Sequence, residues 1–186
     1  MKKSSFAKAI QGLALVTGIL SAGSLVAYLI WGDSAVFTLF ISFFTTFFHF
    51  SMRLIVGALV PNRFDPNAKW FQPSKWETAF YKKLKLKHWK DHMPTYNPAL
   101  FSLEANSLEQ IVKNMCQAEV VHEVIFPLSF VPIAFAEWFG ALPVFVLTSV
   151  GAAAGDAFFV LLQRYNRPRV MRYAKNIAHR AQKHGS

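Results

Sequence analysis

Acidic side chains are scarce in this chain: ten of its 186 residues are Asp or Glu against twenty Lys or Arg, for a formal net charge of +10. Cysteine is scarcer still. Cys116 stands alone, which excludes an internal disulfide and places the thiol on the reducing side of a membrane. A lone thiol can be a nucleophile, but no neighbouring residues form an arrangement that demands it, and inert packing accounts for it. No group of His, Cys, Asp and Glu has convincing metal-ligand spacing. His88, His92, His179 and His184 are spread out and read as solvated or interfacial. Internal repeats are also missing.

Charge of either sign is thin, at 16% of residues, against 53% hydrophobic content, more than a soluble domain of this length carries. The apolar residues are clustered. Positions 9 to 32 hold no charge, enough for a helix to cross a hydrocarbon core of about 30 Å. Positions 34 to 60 form a second stretch with Arg53 near its end, and from Val124 to Gln163 only Glu137 and Asp156 break the apolar run. Within that run "EWFGALP" supplies a turn through Gly140 and Pro143. The expected spans are 9–32, 34–60, 118–136 and 141–163. Lys2 and Lys3 before an apolar core, with "SAGS" at 21 to 24, also fit a signal peptide, but the apolar run continues through "LVAYLIW" and favours an uncleaved helix.

Basic residues set the orientation. Three precede the first span, nine fall between Pro61 and Lys113, seven follow Leu162, and the short turns hold only Asp33 and Glu137. Since cytoplasmic loops retain Lys and Arg, both termini and the central segment are expected in the cytoplasm of a bacterial-type, multi-pass membrane protein. Attraction to anionic lipid headgroups accounts for the same charge, and nucleic acid is a poor partner because the cations flank spans. The fold expected is all-α, with four transmembrane helices as two hairpins in a single membrane domain. A cytoplasmic amphipathic segment over 61–115 joins them, and a basic tail covers 164–186.

In that segment Trp76, Phe80 and Leu84 recur at helical spacing, and Leu86, Trp89 and Met93 continue a neighbouring stripe, as in a helix lying among headgroups. "LKLKHWK" alternates like a strand as well, and "PTYNP" ends the element. Ser107 with Gln110 forms a capping box for a helix running into the third span.

Four places offer chemistry. In "AEVVHEV", helical spacing sets Glu119 beside His122 and Glu123, so a carboxylate can orient an imidazole that accepts and returns a proton. The same acids also suit the positive end of a helix. His49, among the phenylalanines of "FTLFISFFTTFFHF", needs a hydrogen-bond partner or a polar cavity, and interfacial placement serves it as readily as catalysis. Asp156 is an intramembrane acid that requires a partner, and packing of the two hairpins would bring it toward Glu119 and His122. Gly151 and Gly155 offer a small-residue face for that approach. Finally, in "QRYNRPR" the helix is expected to stop before Pro168. Arg164, Arg167 and Arg169 then cluster at headgroup level, where guanidinium forks suit phosphate. Gln163, Arg164, Tyr165, Asn166 and Arg167 carry more hydrogen-bonding capacity than anchoring requires.

At these residues the chain resembles the glycosyl-4,4'-diaponeurosporenoate acyltransferase family, which completes staphyloxanthin-type carotenoid pigments. The similar features are "FYKKLKLKHWKDHMP" at 80 to 94, "AEVVH" at 118 to 122 and above all "QRYNRPR" at 163 to 169, in the family's order. The resemblance implies transfer of a fatty acyl group to a sugar hydroxyl of a membrane glycolipid. It casts His122 as base, Glu119 as its support, Arg164 and Arg167 on the phosphate of a coenzyme A or acyl-carrier donor, and Asn166 or Tyr165 at the oxyanion. It requires no bound cofactor and no metal. A non-enzymatic four-helix lipid-binding or assembly protein is the competing expectation.

The charge map is tested by cysteine labelling in intact cells, in a background without Cys116. Positions within 80–94 and in the tail are expected on one, cytoplasmic, face, and residues 33 and 137 outside. Labelling of the central segment and the tail on opposite faces would break the four-span reading.

Overall fold

A computed structural model describes residues 4–84, 86 and 97–184 of the protein. Its architecture is all-helical, with no strand among the described residues. Among the described residues six α-helices follow one another: α1 (Ser5–Trp31), α2 (Ser34–Leu59), α3 (Lys75–Lys83), α4 (Leu108–Leu128), α5 (Ala136–Phe139) and α6 (Leu142–His184). Short 3-10 turns lie at Lys69–Phe71, Pro98–Phe101 and Val131–Phe135. Among the described residues four helical stretches are long and apolar enough to cross a membrane: Ser5–Trp31, Ser34–Leu59, Leu108–Phe139 and Leu142–Arg180. Residues 85 and 87–96 lie outside the described ones, and with them the alternation of "LKLKHWK", the Trp89 and Met93 stripe, His88, His92 and most of "PTYNP".

The chain folds as two compact units. The apolar unit comprises Ser5–Leu59 and Glu123–Ala157, and the basic unit comprises Met1–Ser4, Val60–His122 and Phe158–Ser186. Helices α4 and α6 each contribute residues to both.

In the apolar unit, α1 and α2 pack against each other. Gly32 turns the chain between them at a φ of +66°, a left-handed conformation that glycine adopts without a steric cost. Asp33 then caps α2 by accepting hydrogen bonds from the Ala35 and Val36 N–H groups at 2.7 and 3.1 Å. Close approach occurs at Gly18, where a Cβ would lie 3.0 Å from the Phe47 ring. It does not occur at Gly151 or Gly155, the pair expected to permit it, since a Cβ at either position meets nothing within 4 Å. Asp156 is reached by the long side chain of Arg53, as described below, so its helix has no need of glycine there.

The third span departs from a single helix over 118–136. Helix α4 begins ten residues earlier, at Leu108, where the Gln110 N–H donates to Ser107 Oγ at 3.2 Å, as the capping pattern indicates. It stops at Leu128: the Phe130 N–H donates to the Pro127 carbonyl at 3.1 Å in a 3-10 bond, and Pro132 has no N–H with which to resume α pairing to the Leu128 carbonyl. The 3-10 turn and α5 carry the chain on to Gly140, whose φ of +68° ends α5 before α6 starts. The tight turn at Gly140 is therefore present.

Pro168 does not end the helix of the fourth span. Helix α6 continues through it to His184. Proline removes one backbone hydrogen bond, a penalty that tertiary contacts can outweigh. Those contacts come from Arg164 and Arg167, one turn ahead of Pro168 and directly beside it.

Candidate functional site

The centre of the basic unit is a carboxylate without solvent. Glu119, on α4, is 0% exposed. Its Oε1 accepts a hydrogen bond from the Arg164 Nη1 at 2.9 Å, and its Oε2 accepts one from Arg167. Both arginines come from α6, three positions apart and so on neighbouring helical faces. Arg167 is itself fully buried; it also donates to the Phe71 carbonyl and lies 4.8 Å from the Phe71 ring centroid. Arg164 bridges further, donating from Nε to Glu77 Oε1 at 2.7 Å and from Nη1 to the Trp70 carbonyl at 3.0 Å. Two acids and two arginines thus converge from α3, α4 and α6, with the 3-10 turn at Lys69–Phe71 supplying carbonyls.

Glu77 is set in place by its own helix start. The Ser74 N–H donates to Glu77 Oε2 at 2.6 Å and the Glu77 N–H donates to Ser74 Oγ at 3.3 Å, a reciprocal capping box. Burial works against the charge on Glu77, but the Ser74 N–H and the Arg164 guanidinium outweigh it and hold the carboxyl below its ordinary value of 4.5. Tyr81, one turn along α3, donates to Glu77 Oε1 at 3.2 Å; burial, then the charge on Glu77, push its phenol up to about 12. The inward face of α3 is consequently Glu77 and Tyr81, while Trp76, Phe80 and Leu84 are exposed.

Neighbouring residues of "QRYNRPR" complete the picture. Tyr165 meets the Tyr81 ring edge-on at 6.0 Å, and Arg169 lies over the Tyr165 ring at 3.4 Å while donating to the Tyr165 carbonyl. Gln163 and Asn166 are half-buried. His122 is half-buried too, its ring stacked on Phe159 at 4.7 Å and 12°. Cys116 is buried one turn before Val120. The segment entering this unit is pinned to α4 by hydrogen bonds from Asn62 to Asn114 at 2.6 Å and from Gln117 to the Val60 carbonyl at 2.8 Å.

Of the residues singled out from sequence, Glu119, His122, Gln163, Arg164, Tyr165, Asn166 and Arg167 all fall in the basic unit. Asp156 belongs to the apolar unit and pairs there with Arg53. The guanidiniums of Arg164 and Arg167 meet carboxylates of the protein itself. Glu77 escaped the sequence reading, although "SKWE" is the same capping pattern that was recognised at Ser107 and would have marked it as a helix start. Among the described residues no group of three metal-ligating side chains assembles.

Residues 67–176, more than half of the chain, match the family described as glycosyl-4,4'-diaponeurosporenoate acyltransferase. Neither the curated proteins nor the solved structures yield a match.

Two outcomes test the network. Glu119→Ala leaves Arg167 charged and buried without its carboxylate, at a cost of about 3–5 kcal/mol, read as lost thermal resistance in detergent. Substituting Gln should destabilise less. Separately, because the folded pKa of Glu77 is depressed, its contribution to stability is present above pH 4.5 and lost as pH falls through the folded value. Melting temperature should therefore fall on acidification below that pH, and Glu77→Gln should flatten this slope.

Proposed function

The chain belongs to the glycosyl-4,4'-diaponeurosporenoate acyltransferase family, and from that premise we propose that it esterifies a sugar hydroxyl of a glycosylated carotenoid, or of a related membrane glycolipid, with a fatty acyl group. The observation that carries this reading is the convergence of the family-matched segments on one buried network. Glu119 from "AEVVH" is clamped by both arginines of "QRYNRPR", which fixes the helix that presents His122.

In this reading a nitrogen of the His122 imidazole takes the proton of the sugar hydroxyl as its oxygen attacks the carbonyl carbon of an acyl thioester. The new C–O bond forms, the C–S bond breaks, and the imidazolium returns its proton to the departing thiolate. Acyl-coenzyme A or an acyl-carrier protein is the donor class. Phe159 stacked on the ring limits its rotation, so the reacting nitrogen keeps its direction. Gln163, Tyr165 and Asn166, half-buried beside the network, supply hydrogen bonds to the sugar and to the developing oxyanion.

Arg164 and Arg167 are positioning residues in this scheme. A role on donor phosphate would require them to leave Glu77 and Glu119, and Arg167 has no exposed surface from which to reach a substrate. Asp156, grouped with His122 and Glu119 from sequence, acts in the apolar unit by holding Arg53. The outward Trp76 and Phe80 of α3, with Leu84 just past its end, suit a membrane surface, in keeping with a cytoplasmic central segment, cytoplasmic termini and two helical hairpins.

His122→Gln separates an enzyme from a lipid-binding or assembly subunit. With membrane abundance and melting temperature unchanged, loss of general-base action should lower acyl transfer by about 10²–10⁴-fold, measured by mass spectrometry of the esterified glycolipid. Undiminished ester formation would remove His122 as the base.

A further inference from the structure

The apolar unit contains a histidine that the network above does not use. His49, on α2, is 6% exposed, and neither Nδ1 nor Nε2 meets a hydrogen-bonding partner among the described residues. Its ring touches Phe48 edge-on at 5.7 Å. One turn further along, Arg53 donates to the His49 carbonyl at 2.7 Å, to the Ala152 carbonyl at 3.2 Å and to Asp156. Thus the backbone of His49 is tied to a partly buried ion pair while its side chain is not satisfied.

Other buried polar groups of this unit solve the same problem internally. Thr17, Thr45 and Ser129 donate to the carbonyl four residues back, at 2.6, 2.7 and 3.0 Å. An imidazole is too long and too rigid for that bond. Ser149 Oγ, fully buried on the face of α6 that also carries Asp156 one heptad on, shares the orphaned condition. A buried polar group without a partner is costly and rare in native proteins, and an ionisable side chain inside an apolar span marks a functional site by default.

The chemistry of the missing partner can be narrowed. Arg53 and Asp156 neutralise each other, so no net charge draws an anion or a cation to His49, and the phenylalanine-rich surroundings penalise any ion. A neutral imidazole offers one donor and one acceptor. A hydroxyl has the same pair. We propose that His49 binds a hydroxyl group within the apolar unit, supplied by the sugar of a glycolipid or by a buried water.

Of these sources, the glycolipid rests on the acyltransferase reading. The test reads melting and not turnover, so the two can fail separately. The full-length protein is placed in phosphatidylcholine vesicles with and without monoglucosyl diacylglycerol, and wild type is compared with His49→Phe and His49→Gln. Wild type should melt about 2–4 °C above the Phe variant, and Gln, which keeps a donor and an acceptor, should restore most of the difference. A difference that appears only with the glucosyl lipid assigns the hydroxyl to a sugar; one of equal size in both vesicles assigns it to water. The proposal is overturned if His49→Phe melts as high as wild type or higher in both vesicles, as removal of an unsatisfied polar group predicts. It is equally overturned if Phe destabilises and Gln fails to restore, which marks a packing role. Should the Phe variant not insert, His49→Leu replaces it in the same comparison.

Discussion

A carboxylate removed from water persists in charged form only if groups of opposite charge meet its oxygens, and Glu119 meets this condition with a different arginine on each oxygen. The remaining requirement is that the arginines be satisfied in turn. Their other donors reach the Trp70 and Phe71 carbonyls and Glu77, so the 3-10 turn at Lys69–Phe71 and the start of α3 have little freedom to move without stranding a charge. Such networks contribute modestly to net stability because desolvation offsets most of the attraction. Their effect here is on register: α3, α4 and α6 share one geometry in which every buried charge has a counter-charge.

The apolar unit obeys the same rule with fewer charges. Its hydroxyl residues donate to carbonyls of their own helices, which lets Thr17, Thr45 and Ser129 lie in otherwise apolar segments. Arg53 and Asp156 answer each other. His49 has no such local outlet, which is why it stands apart from the other polar residues of α2.

Features governed by local physics could be read from the sequence. Charge-free runs long enough for a bilayer correspond to helices, Ser107 caps α4, and Gly140 breaks the chain where "EWFGALP" indicates. Features governed by partners distant in sequence could not. Pro168 looked like a stop because its local cost is plain, whereas the anchoring of Arg164 and Arg167 by residues 45 to 96 positions away along the chain is not. The third span looked continuous because hydropathy does not register the hydrogen bond that Pro132 removes. Glu77 lay in a lysine-rich stretch whose apolar stripe drew attention to the outward face of α3, while its inward face is an acid and a tyrosine. Arginines near a membrane border suggest phosphate, and composition alone does not show that Glu77 and Glu119 meet Arg164 and Arg167 within the fold.

The choice of arginine follows from that arrangement. A guanidinium carries five N–H groups in a rigid plane and remains charged when buried, whereas a lysine ammonium is a compact, strongly hydrated point charge. Arg164 uses this breadth to bridge Glu77, Glu119 and the Trp70 carbonyl at once, and Arg167 adds a face to the Phe71 ring while serving Glu119 and a backbone oxygen. A lysine at either position could not span those partners from one side chain. The three-residue spacing in "QRYNRPR" then has a structural cause: both forks must approach one carboxylate from the same helix. The residues between and beside them, Gln163, Tyr165 and Asn166, are left half-buried at the edge of a rigid centre, where hydrogen-bonding groups serve a ligand best when their own backbone is held still.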